Sequence, residues 1–275
     1  MDEYTGFTEL TLSDGEIADL FCGEFNKTDG LVTNQYVIIK DNTGENVGVY
    51  RFDGKDLNKV PFKTMSSRFL GKIKPRNIQQ QMAVDMLYNP DMTIKIITGR
   101  FGSGKDYLMS AAAVELLEKN KFDRIVYVRN NIEVKNSKPI GFLPGDFNEK
   151  MLPFVMPLAD HLGGTGGLSM MIQNGKIEIV HLGFIRGRDI KNAIILCSEA
   201  ENLTKEHIGL LIGRVAEGSA LWINGDFKQT DAEVFRTNNG LMTAIDRLKG
   251  QPLFGYVQLQ KTERSETAAL ADLLD

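Results

Sequence analysis

The chain has 275 residues, 42% of them hydrophobic and 25% charged. That supports one sizeable core plus a smaller unit and argues against global disorder. A formal charge of −4 argues against a general polyanion binder, but leaves room for a local basic groove, because net charge averages over the surface.

Cys22 and Cys197 lie far apart without metal-ligand spacing and read as free thiols in a reducing compartment. His161, His181 and His207 form no cluster, so no zinc site is expected. The opening MDEYTGFTEL lacks the charged-then-apolar pattern of a signal peptide. No apolar run approaches the roughly 20 residues that a membrane span needs. The expectation is a soluble, cytoplasmic protein with no membrane partner.

Residues 1–61 read as a small β-rich unit. GLVTNQYVIIK is strand-like, DNTG is a turn and ENVGVYRF returns, which predicts a hairpin. FKTMSSRFLGKIKPR, residues 62–76, carries five basic residues and no acidic one. It reads as a solvated linker or as one lip of a nucleic-acid groove. From residue 77 the rhythm changes. NIQQQMAVDMLY has helical periodicity, TIKIIT is a short buried strand, KDYLMSAAAVELLEKN is a helix and DRIVYVR another strand. KIEIVHL, NAIILCS, SALWING and FGYVQL repeat the theme. HLGGTGGLSMMIQNG reads as a glycine-rich, flexible excursion, and GLMTAIDRLKG as a helix stopped at Gly250. Strands alternating with helices predict an α/β fold with a parallel sheet between helices. The expected division is a β-rich unit with its basic linker over 1–70 and a catalytic domain over 71–275.

Between strand and helix stands Gly99-Arg100-Phe101-Gly102-Ser103-Gly104-Lys105-Asp106. This is the phosphate-loop pattern, with Asp106 where a hydroxyl is expected. The three glycines let backbone N–H groups curl around phosphate oxygens, the helix N-terminus adds its dipole, and Lys105 would reach the β- and γ-phosphates. A second strand, NAIILCSEAEN, ends at Ser198-Glu199 where such sites carry Asp-Glu. There the Asp helps hold magnesium and the Glu polarises the attacking water. A third, ALWINGD, ends at Gly225-Asp226, with Gln229 beyond it. That G-D-x-x-Q spacing is similar to the γ-phosphate-sensing motif of helicase-type ATPases.

Together these motifs resemble the PhoH-like ATPases, collinearly over most of the chain. KPRNIQQQMAVDML corresponds to the segment ahead of the loop, and PIGFLPGDFNEKMLPFVMPLADHL, with GFLPGD at Gly141–Asp146, is the most family-specific stretch. FIRGR, SEAENLT, INGDFKQTD and LQKTERSE follow in family order. The N-terminal segment resembles the connector of members that fuse a PIN nuclease to this ATPase. With no PIN domain in the sequence, nuclease activity is not expected. A chain of this kind would suit a phage-encoded member.

The resemblance implies a RecA-like core, Mg²⁺-dependent ATP hydrolysis coupled to RNA or single-stranded nucleic acid, helicase-like action, and ring-shaped homo-oligomers, a hexamer being one size. It implies that Asn77 and Gln80 sit near the adenine and that Tyr107 and Asp226 join the loop residues around ATP. Glu199, Gln229, Lys105 and Arg264 would be catalytic, with Arg264, in TERSE, at the γ-phosphate. Arg186, Arg188 and Arg264 are candidates to complete a neighbouring subunit's site; Arg186 and Arg188 read equally as surface ion pairs.

The chain departs from the family at Asp106, at Ser198 and, less severely, at Asn130, where a proline usually follows the arginine. The first two departures are reciprocal: one hydroxyl and one carboxylate remain beside the same cation. Asp106 and Ser198 are therefore the expected metal ligands. A carboxylate about 4 Å from a phosphate oxygen costs on the order of 4 kcal/mol at an effective dielectric near 20. A hard divalent cation between them reverses the sign, so nucleotide binding should be unusually metal-dependent. The rival reading is a hydrolytically silent ring that scaffolds nucleic acid or protein. A small-molecule phosphotransferase would require neither GFLPGD nor G-D-x-x-Q. For nucleic acid, the basic residues of 63–76 and Arg124, Arg129, Lys135 and Lys138 are the candidate groove. Phe142 either stacks on a base or packs on the sheet.

Overall fold

The computed structural model describes residues 4–129, 155–227 and 239–263. The N-terminal unit is a four-stranded sheet, β1 (Phe7–Thr11), β2 (Tyr36–Lys40), β3 (Asn46–Phe52) and β4 (Leu57–Lys59), with α1 (Asp14–Cys22) between the first two strands. β2 and β3 form the expected antiparallel hairpin around the Asp41–Gly44 turn. β1 runs parallel to β2, and α1 makes the crossover that parallel pairing requires. That helix starts at a reciprocal Ser13–Glu16 capping box and stops at left-handed Gly23.

The basic stretch after it is structured. β5 (Met65–Ser67) and β6 (Gly71–Ile73) form a short hairpin. Met65 and Ile73 are buried, and the carboxylate of Glu118 accepts from Ser67 Oγ and from the N–H of Arg68 at 2.9 Å each. The linker expectation is corrected here: Met65, Ser67 and Ile73 face inward, while the basic residues, together with Phe62, Ser66 and Phe69, stay exposed.

The principal sheet has six strands, all parallel, in the order β12-β7-β11-β10-β8-β9. They are β7 (Ile94–Gly99), β8 (Arg124–Arg129), β9 (Ile177–His181), β10 (Ala193–Cys197), β11 (Ala220–Gly225) and β12 (Phe254–Leu259). β10 and β11 are buried at every position, as strands covered on both faces must be. One face packs on α2 (Ile78–Tyr88) and α3 (Lys105–Glu118), and the other is covered in part by α5 (Lys205–Ile212) and α6 (Gly240–Leu248). This is a RecA-like P-loop core.

The flexible excursion expected at HLGGTGGLSMMIQNG is also corrected. Thr165–Gln173 form a helix, α4, whose Leu168 and Met171 are buried. The spacing of Leu168, Met171 and Ile172 makes an apolar stripe that outweighs glycine's low propensity. A Cβ on Gly167 would lie 2.1 Å from Leu162 O, so glycine is what permits that packing.

The N-terminal unit is stitched to the core. Gln258 N–H donates to Thr5 O at 2.9 Å, Asn34 Nδ2 donates to Pro252 O and Phe254 O at 2.8 and 2.9 Å, and Tyr36 OH donates to Asp85 at 2.8 Å. Both cysteines are free. Among the described residues no helix is long and apolar enough to cross a membrane.

Candidate nucleotide site

In open parallel sheets, ligands bind beyond the carboxyl ends of the strands. Here those ends carry the loop after β7, the acidic turn after β10, the end of β11 and Arg129 at the end of β8.

The loop has the form its sequence predicts. Gly102 and Gly104 take φ of 79° and 87°, conformations that L side chains rarely adopt. Gly104 caps α3 with no side-chain hydrogen bond, so the first N–H groups of α3 are not consumed by a capping side chain. Gly99 is fixed by closeness, because a Cβ there would lie 2.7 Å from both Leu259 O and Ser103 Oγ. Lys105 is buried, with its Nζ 3.9 Å from Asp106. Ser103 Oγ is fully buried and has no hydrogen-bond partner among the described residues. An orphaned hydroxyl, uncapped helix N–H groups and a buried lysine together fit a phosphate group.

Asn77, Gln80 and the segment after β12 brace this loop. Gln80 Nε2 donates to Ser103 O at 3.0 Å, while its Oε1 accepts from Arg76 N–H at 2.8 Å. Asn77 caps α2 through Gln80 N–H at 2.9 Å and donates to Glu263 at 2.7 Å. Glu263 N–H in turn donates to Gly102 O at 2.9 Å. Beside them opens a cleft of about 520 Å³ whose walls include Lys72, Lys74, Arg76, Gln80, Gly104 and Tyr107. The basic hairpin thus contributes to the wall of this cleft.

On the other flank of the loop, a cleft of about 360 Å³ is lined by Phe101, Asp106, Tyr107, Asp160 and His161, among others. Tyr107 meets His161 edge-on at 5.5 Å, and burial holds this imidazole below the usual histidine range despite the Asp106 charge. A third cleft, near 470 Å³, runs over Gly99, Arg100 and Asp226.

The end of β10 departs from the sequence reading. Ser198 is buried, with its Oγ 2.6 Å from Tyr127 OH and accepting from Arg129 Nη1 at 3.4 Å. Burial pushes the Tyr127 hydroxyl up, so it stays protonated. Glu199 sits in the left-handed region at φ 57°, uncommon for a residue with a side chain, and its carboxylate is 2.7 Å from Arg129 Nη2. Arg129 is largely buried, with its guanidinium on Glu199 and Ser198. These contacts depend on β8 lying beside β10, which the sequence alone does not show.

Two residues escaped the sequence reading. Tyr127 shares a strand face with Arg129, two residues apart, and that alternation was a usable signal. Glu201 is buried, accepts Asp226 N–H at 3.0 Å and lies 2.8 Å from where a Gly225 Cβ would be. Burial pushes its carboxyl up to about 7; its own N–H, that of Asp226 and Lys105 oppose the shift, and the Glu199 charge adds to it. Nothing in its composition distinguishes it from a surface glutamate.

Arg186 and Arg188 lie beyond β9, at the sheet edge farthest from β7. Arg186 is exposed, and Arg188 pairs with Glu178 at 2.8 Å. Gln229, Arg264, Phe142 with its GFLPGD segment, Lys135, Lys138 and Asn130 lie outside the described residues. Among the described residues no group of three or more His, Cys, Asp or Glu side chains could hold a metal. A magnesium ion would have Asp106 and the phosphates for ligands, with Ser198 joining only if Tyr127 releases it.

The fold and loop define a P-loop NTPase architecture. A family described as PhoH-like protein matches residues 72–272, and the chain belongs to that family. Protein PhoH2 of Bacillus subtilis is 33% identical, over 98% of this chain and 64% of its own length. Protein PhoH2 of Mycolicibacterium smegmatis is 28% identical, over 97% and 61%. Protein PhoH of Escherichia coli K12 is 32% identical, over 60% and 48%. The chain thus spans about three fifths of the length of these PhoH2 relatives.

Proposed function

We propose that this chain binds and hydrolyses ATP with Mg²⁺, and that a ring of copies couples the reaction to RNA or another single-stranded nucleic acid in a helicase-like manner. The observation that carries the reading is the preformed loop: left-handed Gly104 without a side-chain cap, buried Lys105 and the orphaned Ser103 hydroxyl. Lys105 and the α3 N–H groups would hold the phosphates. Asp106, and Ser198 once Tyr127 releases it, would hold magnesium, which would supply positive charge to offset the phosphates. Glu199 would orient the attacking water, with Gln229 and Arg264 at the γ-phosphate. Arg186, exposed at the far edge of the sheet, would serve a neighbour's site.

The test is ATP hydrolysis with and without Mg²⁺ and single-stranded RNA, with Lys105→Ala as control. Turnover that needs metal, rises with RNA and vanishes in the variant is the expected result. ATP binding equally well in EDTA would remove the metal role of Asp106.

One observation favours a second reading. Glu199 is paired with Arg129, and Ser198 is bonded to Tyr127. A ring that binds nucleotide without turning it over, acting as a scaffold, would keep those contacts. Nucleotide binding without hydrolysis under every condition would select it.

A further inference from the structure

The two glutamates after β10 point to opposite sides of their strand. β10 lies between β11 and β8, and β7, which feeds the phosphate loop, is on the β11 side. Glu201 faces β11, accepting the Asp226 N–H. Glu199 faces β8, where Arg129 holds it at 2.7 Å. The group that would orient the water is therefore held on the β8 side of its strand, tied to Arg129. A neighbouring strand is about 4.8 Å away, more than the reach of a hydrogen bond.

The contact is built into the fold. The register pairs Cys197 with Val128, which sets Ser198 and Glu199 beside Arg129. The guanidinium is buried, stays charged at any working pH, and spreads over both residues, with Nη2 on Glu199 and Nη1 on Ser198. The left-handed backbone of Glu199 is the strained element of this arrangement.

We propose that Arg129 is a positioning residue that latches Glu199 on the β8 side, and that an arriving phosphate group opens the latch by competing for the same guanidinium. The proposal rests on the hydrolysis reading for its consequence. The phosphate is that of bound nucleotide or of a nucleic-acid backbone; both offer the bidentate oxygen geometry that arginine prefers.

A double-mutant cycle on urea unfolding tests it, using Arg129→Gln, Glu199→Gln and the pair. It is measured in the free protein, at saturating Mg·ATPγS, and at saturating single-stranded RNA 20-mer. The free protein should show a coupling on the order of fivefold in the unfolding constant, the upper range for a partly exposed pair. That coupling should disappear in one ligand arm, and the arm identifies the source of the phosphate. Coupling absent from the free protein, or unchanged in both arms, overturns the latch. If Arg129→Gln does not fold, Arg129→Lys replaces it, keeping the charge but losing the two-pronged contact.

Turnover supplies the second readout. If the competing phosphate is the nucleic acid's, Arg129→Gln should raise the RNA-free ATP turnover several-fold with KM within about twofold; if it is the nucleotide's, the variant should instead raise KM with kcat little changed, because the guanidinium is then a ground-state contact. A lower kcat overturns the proposal, because Arg129 would then hold Glu199 productively. A wild type that does not turn over defeats the hydrolysis reading instead, and the unfolding cycle still decides whether the latch exists.

Discussion

The ends of β7 and β10 face the same solvent but are prepared differently. After β7 the backbone already has its working shape, held by Gln80, Asn77 and Glu263, with little left to organise on binding. After β10 the chemistry-bearing side chains are committed elsewhere, Ser198 to Tyr127 and Glu199 to Arg129. Binding machinery made of backbone can be finished in advance, because N–H groups at a helix start have no competing partner. Charged side chains in a half-buried site find each other when substrate is absent. The lesson is that the loop's backbone is preorganised, whereas the side chains after β10 must give up existing partners before they can act.

The largest break in this contrast comes at the loop. Lys105→Ala should lower kcat/KM for ATP by about 10²–10³-fold, the range for losing one preorganised charge-stabilising group. Steady-state phosphate release measures it. Gly104→Ala acts on the same element through the backbone. The left-handed conformation should cost about 1–2 kcal/mol, and the new Cβ would lie 3.1 Å from Gln80 Nε2. Urea unfolding should show that loss, together with weaker nucleotide binding. Equal stability of this variant would mean that the loop is less fixed than the end of β10.

Glu201 sharpens the comparison through pH. Its carboxyl is raised from 4.5 in the unfolded chain to about 7 in the fold, so the native state holds its proton more tightly. Its contribution is complete below about pH 4.5 and is lost as pH rises through about 7. At about 1.4 kcal/mol per unit the span is on the order of 3 kcal/mol. Glu201→Gln keeps an acceptor for Asp226 N–H and removes the titration. Its stability relative to wild type should therefore rise between pH 4.5 and 7 and level off above that window. A flat difference across those pH values would mean that Glu201 is ionised throughout.

What sequence revealed and what it hid follow the same division. The loop was legible because backbone geometry is written in glycines: Gly99, Gly102 and Gly104 each meet a constraint that only glycine satisfies. The strands were legible from short β-branched runs, and the β2–β3 hairpin from its turn. The roles of Arg129, Tyr127 and Glu201 were hidden because they depend on strand order. Nothing local says that β8 lies beside β10, or that β11 separates β10 from β7. The basic hairpin and α4 were misread for a related reason: their inward-facing residues are few and are interrupted by lysines or glycines.

The smallest expected effect concerns the hydroxyl of Ser198. Tyr127→Phe removes one buried hydrogen bond and nothing else from the ring, so stability should fall by about 1 kcal/mol. Ser198 Oγ would keep its 3.4 Å contact with Arg129 Nη1, but the hydroxyl would be freed from its tyrosine partner to meet a cation. If Ser198 and Asp106 share magnesium, the Mg²⁺ concentration that half-saturates nucleotide binding should drop a few-fold in this variant. Titration of Mg²⁺ against a fluorescent ADP analogue measures it. An unchanged midpoint would mean that Asp106 meets the metal without Ser198, and that the serine after β10 serves only to tie β10 to β8.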